Sequence, residues 1–178
     1  MSQFFYDAII PTKLQILEAV DTLLDKAEAF AEAHGIAPAD LIDARLAPDM
    51  LPFGYQIKKC AENSMGAVVG LRTGVALVNE DPWPTNFKGL HVLIRSAIDA
   101  LNAIDPVAFQ EFSDGDTMFK VGKVEIPFTA PDFMLSFTQP NFYFHATIAY
   151  AILRMRGADI GKSDFLGQFR AKRPAPAV

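Results

Sequence analysis

Cysteine is nearly missing from this chain. Cys60 stands alone among 178 residues, so no internal disulfide can form and a secreted, disulfide-framed scaffold is not suggested. Positive charge is also scarce. The net charge is -5, and the only local basic cluster is Arg170, Lys172 and Arg173, too little to track a phosphate backbone. No nucleic-acid partner is therefore expected. No apolar run reaches the roughly 20 residues that span a bilayer, and Met1–Asp7 lacks a basic, signal-like start, so no membrane partner and a cytoplasmic location are expected. The chain has no glycine-rich phosphate loop, no paired cysteine motif, no Gly-x-Ser-x-Gly elbow, no His-Glu-x-x-His and no internal repeat. What remains is a composition 51% hydrophobic and 21% charged, which excludes disorder and suits one globular domain with a sizeable core.

Helical periodicity dominates the pattern. Ile16, Val20, Leu23, Ala27 and Phe30 recur at spacings of four and three, predicting a first helix over about 10–34 that ends at a left-handed Gly35. A helical turn is expected at 38–43. Asp49 is the expected N-cap of a second helix, with Pro52 in its first turn, running through Gln56, Ile57, Cys60 and Val68 to about Leu71. Residues 72–84 read as a connection. Thr85 is the expected cap of a third helix carrying Phe87, Leu90, Ile94, Ala97 and Leu101, with Asp105-Pro106 ending it.

Alternation then replaces helical spacing. Phe119 and Val121 before Gly122-Lys123, and Val124, Ile126 and Phe128 after it, predict a hairpin of strands near 117–121 and 124–128. In that register Val121 faces Val124 and Lys120 opposes Glu125, with the apolar face on the bundle. Thr129 is the expected cap of a fourth helix that Pro140 kinks or breaks before Gly157 ends it. The predicted fold is all-α: a four-helix bundle with a small β-hairpin inserted between helices three and four. It occupies residues 1–166, and 167–178 form a mobile tail.

Asn141 and His145 are four residues apart in the most apolar helical stretch, so they share one face. Gln56, on a stripe with Cys60 and Asn63, faces the same interior. Read functionally, His145 is a metal ligand or general base and Asn141 a second ligand or orienting group. Read structurally, Asn141 and Gln56 satisfy one another and His145 finds a backbone carbonyl. Other candidates are weaker. His34 reads as a helix-end residue, His91 as half-exposed, Cys60 as a buried inert thiol, and Phe142, Tyr143 and Phe144 as core packing.

Five segments carry a resemblance: 25–29 (Asp-Lys-Ala-Glu-Ala), 44–50 (Ala-Arg-Leu-Ala-Pro-Asp-Met), 140–145 (Pro-Asn-Phe-Tyr-Phe-His), 149–154 (Ala-Tyr-Ala-Ile-Leu-Arg) and 161–167 (Gly-Lys-Ser-Asp-Phe-Leu-Gly). Together they resemble the bacterial domain of unknown function 1993, grouped with the DinB/YfiT-like four-helix bundles. The resemblance implies a bundle, often dimeric, whose better-known relatives hold a divalent metal with three histidines and in some cases transfer low-molecular-weight thiols. It places one ligand position at Gln56 and the other two at Asn141 and His145. Two imidazoles are thus replaced by neutral amides, poor ligands for zinc or nickel. The expectation is no cofactor and no high-affinity metal, with room for weak divalent binding and His145 as the only strong ligand. The leading reading is a homodimeric small-molecule-binding or stress-related accessory protein with a degenerate metal site. The alternatives are a divergent metal-dependent hydrolase or thiol transferase, and a structural interaction protein with no ligand.

Overall fold

In the computed structural model, which describes residues 2–172, the chain is mostly helical with a small sheet. Residues 173–178 of the expected tail lie outside the described residues. Helix α1 spans Ser2–Ala33 and α2 spans Pro38–Ile42. Helix α3 (Phe53–Ala61) passes through a π-helical turn at Glu62–Gly66 into α4 (Ala67–Thr73). Strand β1 (Val75–Leu77), α5 (Phe87–Asn102) and α6 (Pro106–Glu111) follow. Strands β2 (Asp116–Val121) and β3 (Val124–Thr129) lead into α7 (Ala130–Asp132), a second π-helical turn at Phe133–Thr138, then α8 (Gln139–Met155) and α9 (Lys162–Leu166). Helix α1 packs on α5, α8 and α9, and α3 packs on α8 and α5.

Several boundaries differ from the sequence reading for identifiable reasons. Helix α1 begins eight residues early and carries Pro11 inside. Phe5 and Tyr6 pack on the buried Phe109 at 5.6 and 5.7 Å, a tertiary contact that offsets the lost backbone bond. Asp49 does not cap α3. The cap position is Pro52, which makes no side-chain bond there. Thr85 does not cap α5, because Asn86 accepts from the Gly89 amide at 2.8 Å instead. Thr129 does accept from Asp132 N.

The sheet is larger than a hairpin. Strands β2 and β3 are antiparallel, with Val121 opposite Val124 and Lys120 opposite Glu125, whose side chains pair at 2.7 Å. Strand β1, inside the segment read as a connection, adds parallel to β2. It sits close because Gly70 of α4 presents no Cβ to Ala76. The apolar face is only partly covered. Phe119 lies tilted against Phe137 of the second π-turn at 4.7 Å and Phe128 stacks on it at 5.3 Å, while Val121, Val124 and Ile126 remain exposed.

Candidate functional site: a cavity between two π-turns

A cavity of about 470 Å³ opens between the two π-turns, α3, α5, α8 and the sheet. That volume lies in the range of small-molecule sites. π-turns are rare and concentrate at functional sites, because widening a helix by one residue leaves carbonyls to be satisfied otherwise. Short polar side chains meet that need here. Asn63 Nδ2 donates to Lys59 O, and Ser64 Oγ lies 2.8 Å from the carbonyls of both Cys60 and Ala61. In the second turn Ser136 donates to Asp132 O, Thr138 to Met134 O, and Asn141 Nδ2 to Phe137 O at 2.7 Å. Pro140, which lacks an N–H, follows this widened turn and does not break the helix.

The three expected site residues are arranged differently from the structural reading. Gln56 Nε2 donates to Leu51 O at 2.8 Å, so its Oε1 faces His145 Nδ1, 2.7 Å away. An amide oxygen can only accept, so Nδ1 carries the proton and Nε2 keeps its lone pair. Asn141 is bonded to its own helix and not to Gln56. His145 and Asn141 line the cavity, and Gln56 stands behind them. Burial, and then the charge of nearby Lys59, lower the His145 pKa to about 4, so the ring is neutral at pH 7. Its ring meets Tyr55 edge-on at 5.9 Å, and Tyr55 meets Trp83 at 5.8 Å.

Sequence reasoning missed the charged residues around this histidine. Lys58 and Lys59, both buried, share one carboxylate, Glu62, with Lys58 Nζ at 3.0 Å from Glu62 Oε1 and Lys59 Nζ bonded to Oε2. Lys58 also donates to Asn79 O at 2.7 Å and to Asp81 O. Lys59 Nζ stands 5.4 Å over the Tyr55 ring. Behind the wall, Lys13 is 1% exposed and reaches both π-turns, donating to Asn63 O and lying 3.4 Å from Thr138 Oγ1. Burial lowers its pKa to about 7. The signal for Lys13 was in the stripe itself: Ile9, Lys13, Ile16 and Val20 are spaced four, three and four.

The other candidates resolve individually. His91 is not half-exposed. It is 8% exposed, with Nδ1 at 2.5 Å from Asp21 and Nε2 at 3.4 Å from Asp25 of α1. Cys60 is fully buried, and burial pushes its thiol far up, leaving no usable thiolate. His34 Nδ1 lies 2.9 Å from Phe30 O at the end of α1. Among the described residues, no group of three or more His, Cys, Asp or Glu side chains is arranged to hold a metal ion. No helix among them is long and apolar enough to cross a membrane.

This helical frame, with the cavity between its second and last long helices, is that of a DinB-like protein. A crystal structure of a DinB family member protein from Shewanella denitrificans is similar at a TM-score of 0.82, with 27% identity over 97% of both chains. The family model described as Domain of unknown function (DUF1993) matches residues 5–166, and the chain belongs to that family. No curated protein matches the chain.

Proposed function

We propose that this protein is a homodimeric, small-molecule-binding accessory protein, possessing the DinB-like cavity but not a strong metal site. The observation that carries the reading is the pairing of His145 with Gln56 beside Lys59. A divalent cation at His145 would meet an imidazole, two neutral amides already bonded to carbonyls, and a buried ammonium. That set holds a single imidazole where zinc or nickel takes several strong donors, and it puts an ammonium beside the ion, so the residues present do not fit zinc or nickel. A neutral or anionic organic molecule faces no such penalty, and the cavity is large enough for one.

The test is native mass and metal analysis of protein purified without an affinity tag, with melting measured before and after chelation. A melting temperature unmoved by chelator supports the reading. Stoichiometric zinc or nickel that survives dialysis and is lost in His145→Ala overturns it. Dimerisation is tested separately by light scattering at micromolar concentration, where a mass twice that of the chain is expected and a stable interface would bury more than about 1,000 Å².

One feature favours a second reading, a hydrolase or transferase using His145 as general base. Its Nε2 lone pair is fixed by Gln56 and has no hydrogen-bond partner among the described residues. Turnover of an ester or thioester panel that is abolished in His145→Gln, with binding retained, would promote that reading.

A further inference from the structure

The cavity is chemically polarised along α8, and this indicates what it binds. Tyr55, Lys59 and His145 cluster on its lining, with His145 5.9 Å and Lys59 5.4 Å from the Tyr55 ring, while Phe119 and Phe137 meet each other at 4.7 Å and share the lining with Val121. His145 and Phe137 are eight residues apart on one helical rod, a separation of roughly 12 Å at the α-helical rise. The polar end carries an excess of positive charge, since Lys58 and Lys59 share the single carboxylate of Glu62 and His145 is neutral. A buried charge without a full counter-charge is costly, and an anionic ligand would supply the missing partner. The far end is mostly apolar, Thr138 beside Phe137 being its polar exception, and it leads outward. Val121 and Leu77 both line the cavity, and they are 40% and 72% exposed.

Resting on the small-molecule reading above, we propose that the cavity takes a medium-chain monocarboxylate. Its carboxylate meets Lys59, and its apolar chain runs over Phe137 and Phe119 toward Val121. Two carboxylates would reverse the charge balance, and a short acid would leave the aromatic half of the cavity in contact with water. A cationic head group would stand against Lys59 and is excluded.

The chain's single tryptophan supplies a readout, because Trp83 contacts Tyr55 of the polar end. Octanoate, octanol and octylamine are titrated against the full chain, with Trp83 fluorescence and calorimetry followed in parallel. Octanoate is expected to bind at least tenfold more tightly than octanol, and octylamine not at all. Lys59→Gln is expected to remove the preference for octanoate, bringing its affinity down to that of octanol. Should that variant not fold, the comparison of the three head groups on the native chain decides alone. Octanol or octylamine binding as well as octanoate overturns the proposal while leaving a small-molecule cavity in place. Binding of none of the three overturns the proposal, while metal analysis judges the functional reading separately.

Discussion

Lys13 Nζ lies 3.4 Å from Thr138 Oγ1, joining the first helix to a residue 125 positions later. The same amine donates to the carbonyl of Asn63, so one side chain bridges the two π-turns that form the cavity walls. Phe142 presents its ring 5.2 Å away. The carbonyl of Asn63 and the hydroxyl of Thr138 are neutral acceptors, and burial without a carboxylate beside it explains why the amine's pKa drops to about 7.

The first prediction follows from that drop. An unfolded lysine takes up its proton near pH 10.5, the folded one near 7. Between those values the unfolded state holds more protons, so stability falls as pH is lowered from about 10.5 to 7 and is level below it. Lys13→Met, which keeps the volume and removes the titration, should flatten this slope. At pH 7 it should be at least as stable as the native chain, since no buried ammonium remains to be desolvated. Urea unfolding at pH 7, 8.5 and 10 measures the difference, and parallel curves for the two proteins would contradict it.

How much of this could be read beforehand depends on where the information resides. The pairing of β2 with β3 is local, written in alternation about Gly122-Lys123, and the apolar stripes of α1 and α5 are likewise visible in spacing. The π-turns are not local. Lys13 arrives from α1 to meet Asn63 O in one and Thr138 Oγ1 in the other, and no spacing within 62–66 or 133–138 announces that contact. Strand β1 is three residues long and exists because β2 offers an edge and Gly70 leaves room, both tertiary conditions. For His91, the Asp21 and Asp25 that enclose it are roughly 70 residues away in sequence. Within the site, helical spacing put Asn141 and His145 on one wall, but the partners lay outside that spacing. Asn141 takes the Phe137 carbonyl of the second π-turn, and His145 takes the Gln56 oxygen because Leu51 O holds the other end of that amide.

His145 gives the second prediction. Its folded pKa of about 4 lies below the unfolded value of 6.5. The unfolded state therefore binds the proton first, and stability declines as pH falls from about 6.5 to 4. His145→Gln should remove that part of the decline. Nitrogen-detected NMR of the ring at pH 7 should find Nδ1 protonated, and an Nε2-protonated tautomer would break the argument from Gln56. Gln56→Leu should cost about 1–3 kcal/mol by leaving the Nδ1 proton without an acceptor.

A third prediction concerns the attachment of the sheet. A Cβ on Gly70 would stand 2.7 Å from Ala76 Cβ and 3.2 Å from its Cα, so β1 must retreat. Gly70→Ala should therefore destabilise by about 1–3 kcal/mol, the range for overpacking. Gly66→Ala is the control, because nothing stands within 4 Å of its added carbon. Thermal melts of the two variants should move in different directions or by clearly different amounts. Equal shifts would mean that β1 is not held against α4 in the way its geometry indicates.

The last prediction asks whether the cavity is a metal site short of its ligands. Gln56 and Asn141 occupy the positions at which the resemblance to metal-binding bundles places imidazoles, and His145 is the third. Gln56→His with Asn141→His would supply three imidazoles, two on the cavity wall and one behind it, the neutral nitrogen set that zinc favours. The double variant should gain zinc binding with release of ligand protons, readable as a zinc-dependent rise in melting temperature. Lys59 opposes the gain, since its ammonium stands near His145. Adding Lys59→Gln to the pair should therefore tighten zinc further, by at least tenfold if the charge is the main obstacle. A folded double variant that binds no zinc, with or without Lys59, would mean that these three positions do not converge on a common point. The degenerate-site reading would then be wrong, and His145 would belong to the cavity wall for reasons unconnected with metal.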